Sequence, residues 1–315
     1  MKKVLLVDPI AQEGIALMEH AGFEVRALTD RSHEHILKEV VDKDAILVRT
    51  TFITEDIIEA GSKLRVIARH GVGYDNIDVG AAAKRGIVVT NSPMANLVAV
   101  AEHVIGMMIV LAKNMRKADI ALRQGQFSAR NVYIGQELEG KTLGLVGLGR
   151  IGQRVGQIAM NGLGMNVLGY DPYIPKSAIP QGFAYTDSWE EIFSTPDFVS
   201  LHLPLIESTK GLIGMREFSL MKKNAIFINC ARGPIVVEAD LVAALQNNVI
   251  LAAGLDVFET EPPASDNPLF TLDNVLVTPH MAAHSKEAMV KMAVHAAQGI
   301  VEVLSGKNPT WKVTA

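Results

Sequence analysis

Three side chains suited to acid–base and carboxylate chemistry follow predicted buried strands in the C-terminal half of the 315-residue chain. His280 comes directly after a strand and Pro279, and an imidazole exchanges protons close to neutral pH. Arg232 follows another apolar run, where a guanidinium can hold a carboxylate through two parallel hydrogen bonds. Glu261 stands beside two prolines, and a carboxylate next to His280 would orient the ring and favour its protonated form. Taken singly, each has a plain alternative: a solvated loop cation, a loop acid, or one of nine histidines with a structural role.

A glycine-rich turn indicates a second kind of chemistry, the binding of a dinucleotide. Gly147, Gly149 and Gly152 form a G-x-G-x-x-G pattern between a predicted strand and a predicted helix. At such a turn a pyrophosphate can approach the backbone and rest on a helix N-terminus. Three glycines alone could equally make a tight turn. However, the next predicted strand ends at Asp171, nineteen residues after Gly152, about the interval at which an acid accepts hydrogen bonds from an adenosine ribose.

The residues around Asp171 favour NAD(H) over NADP(H). The Asp171 carboxylate would repel a 2′-phosphate, and Pro172-Tyr173-Ile174-Pro175 contains no arginine to receive one. Lys176 is the only nearby cation in the sequence. Cys230 is expected to be a small buried residue beside the cofactor rather than a nucleophile, because no histidine or other base adjoins it in the sequence.

Alternating strands and helices must position these residues. In the first third, the predicted strands are 4–7, 23–25, 45–48, 66–68 and 87–89, and the predicted helices are 14–21 and 33–41. Later strands are predicted at 143–146, 167–170, 198–203, 225–229, 251–257 and 275–278, with a long helix from about 96 to 114 and a last helix at 285–304. This alternation predicts an α/β fold of two doubly wound parallel-sheet units. The chemistry-bearing residues then fall at the carboxyl ends of strands, the edge where such sheets bind ligands.

Composition narrows the class of protein. Apolar residues at 49% and charged residues at 20% describe a globular protein with ample core, and the chain is long enough for two domains. A formal charge of −4 gives no electrostatic reason to expect nucleic acid or a membrane surface as a partner, and no metal site is predicted. The single cysteine fits a reducing compartment. The apolar runs 4–7 and 98–112 are too short for a signal peptide or a bilayer span, so a cytoplasmic location is expected.

Together these motifs resemble the D-isomer-specific 2-hydroxyacid dehydrogenases, especially the branch of phosphoglycerate dehydrogenases and glyoxylate/hydroxypyruvate reductases. The resemblance covers nearly the whole chain and also rests on Val48-Arg49-Thr50, on the run from Arg69 to Asp78, on Ala101-Glu102-His103 and on His202-Leu203-Pro204-Leu205. It implies a discontinuous, flavodoxin-like substrate domain of residues 1–97 and 286–315 around an inserted Rossmann NAD-binding domain of residues 98–285. The two-domain architecture predicts closure on ligand binding, and the resemblance favours a homodimer through the NAD-binding domains. The long helix, apolar on nearly every face, is expected to lie in a core or at an interface.

The resemblance implies a mechanism and a set of site residues. Arg232 would hold the substrate carboxylate and carbonyl region, His280 would give or take the hydroxyl proton as hydride moves, and Glu261 would stabilise the charged imidazole. The implied substrate contacts are Arg49, Val72, Gly73, Asn96, Arg232 and His280, although Arg49 could be a surface cation and Asn96 a helix cap. The implied cofactor contacts are Gly147, Gly149, Arg150, Ile151, Gly152, Asp171, Pro172, His202, Pro204, Thr209, Cys230, Ala231, Arg232, Asp256, His280 and Ala282.

The chain departs from the family pattern after His280. The family usually has glycines followed by a small or hydroxyl residue, whereas this chain has Ala282, Ala283 and His284. The alanines would tighten the space near the nicotinamide carboxamide, and His284 would either touch the substrate or cap the last helix. Because the sequence ends at Ala315, no serine-binding regulatory domain is expected.

The expected reaction is the NAD-dependent interconversion of a small D-2-hydroxy acid and its 2-oxo acid. The leading substrates are 3-phosphoglycerate with phosphohydroxypyruvate, and glyoxylate or hydroxypyruvate with the corresponding reduced acid. The sequence does not separate these substrates. A non-catalytic NAD(H)-sensing scaffold of the corepressor type is the alternative. A formate-dehydrogenase-like enzyme would pair the histidine with glutamine, so Glu261 argues against it.

Overall fold

The computed structural model describes residues 1–313, which divide into two compact units. The first unit is Met1–Leu97 together with the described residues from His284 onward, and the second unit is Val98–Ala283. The strands are β1 (Lys3–Leu6), β2 (Glu24–Ala27), β3 (Ala45–Val48), β4 (Val66–Arg69), β5 (Val88–Thr90), β6 (Thr142–Val146), β7 (Asn166–Tyr170), β8 (Ala184–Tyr185), β9 (Phe198–Leu201), β10 (Ile226–Asn229), β11 (Ala252–Leu255) and β12 (Val275–Val277). The α-helices are α1 (Gln12–His20), α2 (His33–Glu39), α3 (Glu55–Ala60), α4 (Val79–Lys84), α5 (Leu97–Ala112), α6 (Met115–Arg123), α7 (Arg150–Leu163), α8 (Trp189–Ser194), α9 (Met215–Leu220), α10 (Glu238–Gln246) and α11 (Lys286–Leu304).

The first unit is a five-stranded parallel sheet in the order β2-β1-β3-β4-β5, which is the flavodoxin-like order. Neighbouring residues of one strand enter opposite cores: Ile46 packs with apolar residues of α2, α3 and α4, whereas Leu47 packs with those of α1 and α11. Helices therefore cover both faces, which explains why the central strands are apolar at every position. Gly14 of α1 lies so close to α11 that a Cβ there would sit 2.7 Å from the carbonyl oxygen of Ala293.

The second unit is a seven-stranded parallel sheet in the order β12-β11-β10-β9-β6-β7-β8, the Rossmann order with one added strand. One face packs against α8, α9 and α10, and the other packs against α5 and α7. Helix α5 is apolar on almost every side because much of it, including Val104 and Met108, lies in this core. The prediction of an α/β fold with two doubly wound parallel sheets, flavodoxin-like and Rossmann, is confirmed.

Two predicted strands end two residues earlier than the apolar pattern indicates. The run 198–203 gives the strand Phe198–Leu201, and the run 251–257 gives Ala252–Leu255. In the second case the strand ends just before Asp256, whose side chain holds a neighbouring loop. Among the described residues, no single helix is long and apolar enough to cross a membrane; α5 and α6, bent by 62°, meet that test only as a pair.

Candidate active site

The glycine turn after β6 has the shape that a dinucleotide needs. Gly147 has a φ of 100°, and a Cβ on it would lie 2.7 Å from the carbonyl oxygen of His202. Gly152 packs onto the same turn, with its Cβ position 2.2 Å from the Gly147 carbonyl oxygen. The Cβ position of Gly149, by contrast, meets nothing within 4 Å. The three glycines therefore permit a tight turn, an open approach for a ligand, and close packing of the helix on the strand, the roles that glycines take in this motif.

The turn leads directly into α7, a fourteen-residue helix. Gly149 is its N-cap and supplies no side chain to bond the first N–H groups, which belong to residues such as Arg150 and Ile151. Unsatisfied N–H groups and the helix dipole make this end of α7 suited to a pyrophosphate. The residues present therefore fit the phosphate part of a dinucleotide.

Asp171 is fixed beside the glycine turn, at the end of the neighbouring strand β7. Its Oδ2 accepts a hydrogen bond from the backbone N–H of Leu148 at 2.9 Å, and its Oδ1 accepts one from Tyr173 at 3.0 Å. The carboxylate thus lies beside the glycine turn, with Pro172 next to it, and its contact with a ribose stays a prediction. Lys176, the nearby cation, pairs with Asp187 at 3.3 Å, so it already has an acidic partner.

The loop after β9 contains three further predicted cofactor residues, His202, Pro204 and Thr209. His202 Nε2 lies 3.0 Å from the Ser200 hydroxyl, and burial lowers the pKa of His202 to about 4, so the ring is neutral at physiological pH. The Thr209 hydroxyl donates to the Pro204 carbonyl oxygen at 2.7 Å and closes the loop. This loop adjoins the glycine turn through the contact between Gly147 and His202.

Arg232 is presented by a short loop after β10 that Asn229 holds in place. Asn229 Oδ1 accepts from the backbone N–H of Ala231, and Asn229 Nδ2 donates to the Arg232 carbonyl oxygen, each at 3.0 Å. The Arg232 guanidinium donates to the Ala231 carbonyl oxygen at 2.7 Å. Gly233 follows, and a Cβ there would lie 1.7 Å from the carbonyl oxygen of Phe258, so the loops after β10 and β11 meet backbone to backbone. Only glycine allows that approach.

Cys230 lies in the same loop but is unsuited to nucleophilic attack. Burial and the nearby charge of Asp256 raise the pKa of its thiol, so the reactive thiolate is scarce at neutral pH. Its Sγ lies 3.8 Å from the sulfur of Met107. The thiol therefore behaves as a small apolar group, in line with the expectation that it is not a nucleophile.

Asp256 anchors the loop that bears the predicted proton donor. This carboxylate is fully buried; it accepts from the Thr278 hydroxyl at 2.5 Å and from the backbone N–H groups of Met281 and Ala282 at 2.8 Å. The backbone N–H of His280 donates to the Asp256 carbonyl oxygen, also at 2.8 Å. Both carboxylate oxygens of Asp256 thus serve the loop after β12, while its predicted contact with the cofactor stays a prediction.

His280 and Glu261, nineteen residues apart in the chain, form a hydrogen bond of 2.6 Å between Nδ1 and Oε2. Burial of Glu261 opposes its ionisation, but the hydrogen bond and charge of His280, with smaller contributions from the Phe258 N–H and the charge of Arg232, outweigh burial and lower the pKa of Glu261. Because the ionised carboxylate can only accept, Nδ1 of His280 carries a proton and Nε2 is the nitrogen that can exchange one. The ring is 49% exposed, so that exchange is sterically open.

The backbone of His280 has a φ of 49°, in the left-handed region that residues with a Cβ seldom adopt. The hydrogen bonds that surround Asp256 hold it there. Arg232, Glu261 and His280 therefore come together at the carboxyl ends of β10, β11 and β12, which are adjacent strands. A cavity of about 340 Å³ adjoins Glu261 and His280, and its remaining lining is mostly apolar: Phe258, Pro262, Pro263, Phe270, Val277 and Pro279.

The predicted substrate residues of the first unit also follow strands. Arg49 comes directly after β3, and its backbone N–H donates to the buried carboxylate of Asp8 at 2.8 Å. Val72 and Gly73 lie in the loop after β4, where Asn91 donates to the Val72 carbonyl oxygen at 2.8 Å. Asn96 is buried, and its Oδ1 accepts no hydrogen bond from the part of the chain that the structure describes. Such an acceptor would suit the hydroxyl of a ligand.

Several residues that shape the site were not among those predicted. Three of them position loops through hydrogen bonds: Asp8, Asn229 and Thr278. A fourth, His103, has its Nε2 3.0 Å from the Thr278 hydroxyl. His103 belongs to the motif Ala101-Glu102-His103, which had no assigned role. Asp8 could have been noticed, because an acid directly after the first strand lies at the carboxyl edge of the sheet.

Comparisons with known proteins show the family of this chain. The family model of the "D-isomer specific 2-hydroxyacid dehydrogenase, NAD binding domain" matches residues 105–282. A D-3-phosphoglycerate dehydrogenase of Methanocaldococcus jannaschii is 46% identical over 98% of this chain and 58% of its own length. A protein of Thermus thermophilus with a known crystal structure is 32% identical, with a TM-score of 0.92 over 99% of this chain and 100% of its own. A glyoxylate reductase from Paecilomyes thermophila is 27% identical, with a TM-score of 0.90 over 99% of this chain and 98% of its own. The chain spans little more than half the length of the curated relatives that it matches.

Proposed function

The chain belongs to the D-isomer-specific 2-hydroxyacid dehydrogenase family, and from that premise we propose that it interconverts a D-2-hydroxy acid and its 2-oxo acid with NAD. Its second unit matches the NAD-binding domain of that family, as the glycine turn predicted. The observation that carries the proposal is the 2.6 Å contact between His280 and Glu261, on the sheet that also carries this turn. Arg232 follows the adjacent strand, so a proton carrier and a carboxylate-binding cation share one sheet edge.

In this proposal the protein supplies position and proton transfer. When bound, the nicotinamide supplies the hydride. Arg232 holds the substrate carboxylate through paired hydrogen bonds. His280 Nε2 donates a proton to the carbonyl oxygen in reduction and removes the hydroxyl proton in oxidation. Glu261, kept ionised by its lowered pKa, stabilises the imidazolium form of His280.

The other predicted contacts complete the proposed sites. For the substrate these are Arg49, Val72, Gly73 and Asn96; for the cofactor they are the glycine turn with Arg150 and Ile151, Asp171 with Pro172, the loop residues His202, Pro204 and Thr209, and Cys230, Ala231, Asp256 and Ala282. We propose that the first unit, with residues 286–315 as its C-terminal part, is the substrate domain. NAD is favoured over NADP because the Asp171 carboxylate would repel a 2′-phosphate and Lys176 is already paired.

The substrate is a small 2-hydroxy or 2-oxo acid, with 3-phosphoglycerate/phosphohydroxypyruvate first and glyoxylate or hydroxypyruvate next. The test is NADH oxidation by the purified chain against phosphohydroxypyruvate, hydroxypyruvate, glyoxylate and a bulkier 2-oxo acid. At least one should be reduced, and the activity should need His280. NADH binding without turnover of any compound would instead favour the NAD(H)-sensing scaffold.

We also propose a homodimer formed through the second unit. Six apolar side chains of α6 and the segment after it are between 43% and 77% exposed: Met115, Ile120, Leu122, Phe127, Val132 and Ile134. Exposed apolar groups so close together are typical of an interface. Sedimentation should give a dimer mass, and the double substitution Val132→Glu with Ile134→Glu should give a monomer. A monomeric wild-type chain would refute this part. The single cysteine fits action in the cytoplasm.

A further inference from the structure

His284 contacts Arg49 although the two are 235 residues apart in the chain. Arg49 Nη2 lies 2.7 Å from His284 Nε2, and both residues belong to the first unit. A guanidinium has only N–H donors, so the imidazole nitrogen must accept. In this arrangement His284 is therefore neutral, with its own proton on Nδ1, and the contact is a hydrogen bond to a cation.

Both side chains are presented by anchored backbone. The N–H groups of Arg49, Thr50 and Thr51 donate to Oδ2 of Asp8 at 2.8, 3.0 and 3.2 Å, which fixes the turn after β3. His284 directly precedes Ser285, the N-cap of α11, whose hydroxyl oxygen accepts from the Ala288 N–H at 3.1 Å. Because the bond to His284 also restricts the Arg49 side chain, Arg49 has less conformational freedom to lose when a ligand binds.

The surroundings of Arg49 are positively charged. Arg69 ends β4, and its guanidinium donates to the carbonyl oxygen of His70. Burial, followed by the charges of Arg49 and Arg69, lowers the pKa of His70 to about 4, so His70 is neutral. Asp8, a buried acid of this region, directs its carboxylate to backbone N–H groups, hydroxyls and Arg31. A ligand group that carries negative charge is the chemistry that suits this region.

We propose that His284 is a specificity-determining residue that, with Arg49, binds a second anionic group on the substrate, a phosphate ester or a second carboxylate. In the free protein the imidazole holds Arg49 in place. When an anion arrives, the ring can take up a proton and donate to it, so that the pair offers two cations. The small or hydroxyl residue usual in the family at this position could do neither to the same degree. This inference rests on the proposed function, since it assumes a hydroxy-acid ligand.

Equilibrium binding tests the proposal without turnover. Calorimetry in the presence of NADH, which cannot react with hydroxy acids, would compare 3-phosphoglycerate, D-malate and D-glycerate, the last lacking a second anionic group. His284→Ser should weaken 3-phosphoglycerate about tenfold, the usual effect of losing one charge-assisted hydrogen bond. D-Glycerate should change less than twofold. His284→Gln, whose amide oxygen can accept from Arg49 but stays neutral, should fall between His284→Ser and wild type. If His284→Ser loses as much affinity for D-malate as for 3-phosphoglycerate, the pair binds any second anionic group. If its affinity for D-malate is unchanged, the pair is specific for the phosphate.

His20→Ser, at the exposed end of α1, is the matched control and should bind all three ligands as the wild type does. The proposal is overturned if His284→Ser weakens 3-phosphoglycerate and D-glycerate equally, or weakens neither. The proposed function is tested separately by turnover. If the wild-type chain reduces no 2-oxo acid but His284→Ser selectively loses affinity for 3-phosphoglycerate, the anion contact is supported and the proposed reaction is refuted. If the wild-type chain reduces a 2-oxo acid but His284→Ser loses affinity equally for 3-phosphoglycerate and D-glycerate, the reaction is supported and the anion contact is refuted.

Discussion

The two units share a doubly wound parallel sheet but use the turn after the first strand in opposite ways. In the second unit, Gly147, Gly149 and Gly152 leave bare backbone and an uncapped helix end after β6, which suits a phosphate. In the first unit, the corresponding turn after β1 carries Asp8, a buried carboxylate that would repel one. Asp8 instead accepts the N–H groups of residues 49–51 and fixes the segment after β3.

The comparison shows that topology sets the edge where ligands bind, whereas a few side chains set which ligand. The turn after β6 leaves N–H groups available to an anionic ligand. In the turn after β1, the Asp8 carboxylate accepts N–H groups of the protein itself. By this contrast we expect an anionic ligand of the first unit to contact side-chain cations such as Arg49.

The largest expected effect is on the chemistry of the second unit. His280→Ala removes the only side chain proposed to exchange the substrate proton, so kcat should fall by roughly 10²- to 10⁴-fold. NADH affinity, followed by fluorescence titration, should stay within a few fold. His20→Ala serves as the control for loss of a surface histidine. Near-normal kcat in His280→Ala would remove His280 from the mechanism.

Matched substitutions in the two turns should separate their roles. Gly149→Val fills the space at the open glycine and should weaken NADH binding by about a hundredfold, since contacts and hydrogen bonds to a pyrophosphate would both be lost. Ala11→Val, at the N-cap of α1 in the first unit, should leave NADH affinity unchanged. Equal effects of the two substitutions would mean that the glycine turn is not where the dinucleotide binds.

Asp8→Asn should destabilise the fold by about 2 kcal/mol at pH 7, roughly thirtyfold in the folding equilibrium, because hydrogen bonds to a charged group are lost. Burial opposes ionisation of Asp8, but the N–H groups of Arg49, Thr51 and Thr50 outweigh it, so its folded pKa lies below the unfolded value. The Asp8 carboxylate therefore contributes its full stabilisation above its unfolded-state pKa. This stabilisation is lost as the pH falls through its folded-state pKa. Denaturant unfolding of wild type and variant should thus converge in acid; a constant difference would contradict the account.

The smallest effect concerns cofactor choice. Asp171→Ser removes the charge that would repel a 2′-phosphate and should shift the ratio of kcat/KM for NADH to that for NADPH about tenfold toward NADPH. Asp187→Ser, which removes the partner of Lys176, is an informative companion because it should shift the ratio in the same direction by less. An unchanged ratio in Asp171→Ser would argue that another residue selects the cofactor.

The parts of this molecule that sequence alone predicted are those with dense local signals. The buried strands are continuous apolar runs, and the glycine turn with Asp171 is a fixed spacing, so the fold class and the family were both predicted correctly. Helices such as α3 and α4, six residues each, went unpredicted because they are too short to show a helical period. The catalytic and binding roles of the site residues stay predictions.

Contacts between distant segments could not be read from the sequence. The bond from Arg49 to His284 joins the end of an early strand to the start of the last helix, and only the packing of α11 on the first sheet brings them together. The left-handed backbone of His280 is similar, since nothing in Pro279-His280-Met281 predicts it. Asp256 holds the loop that contains His280, whereas the family resemblance implied a cofactor contact for Asp256.

The central claim is that hydride and proton meet the same substrate on this chain, and isotope transfer tests it most directly. Phosphohydroxypyruvate would be reduced with NADH deuterated at nicotinamide C4, and the product examined by mass spectrometry and for its configuration. The wild-type product should be a D-2-hydroxy acid with deuterium at C2, and His280→Ala should form almost none of it in the same time. If the protein binds the deuterated NADH but transfers no deuterium to any 2-oxo acid, the claim of hydride transfer is contradicted.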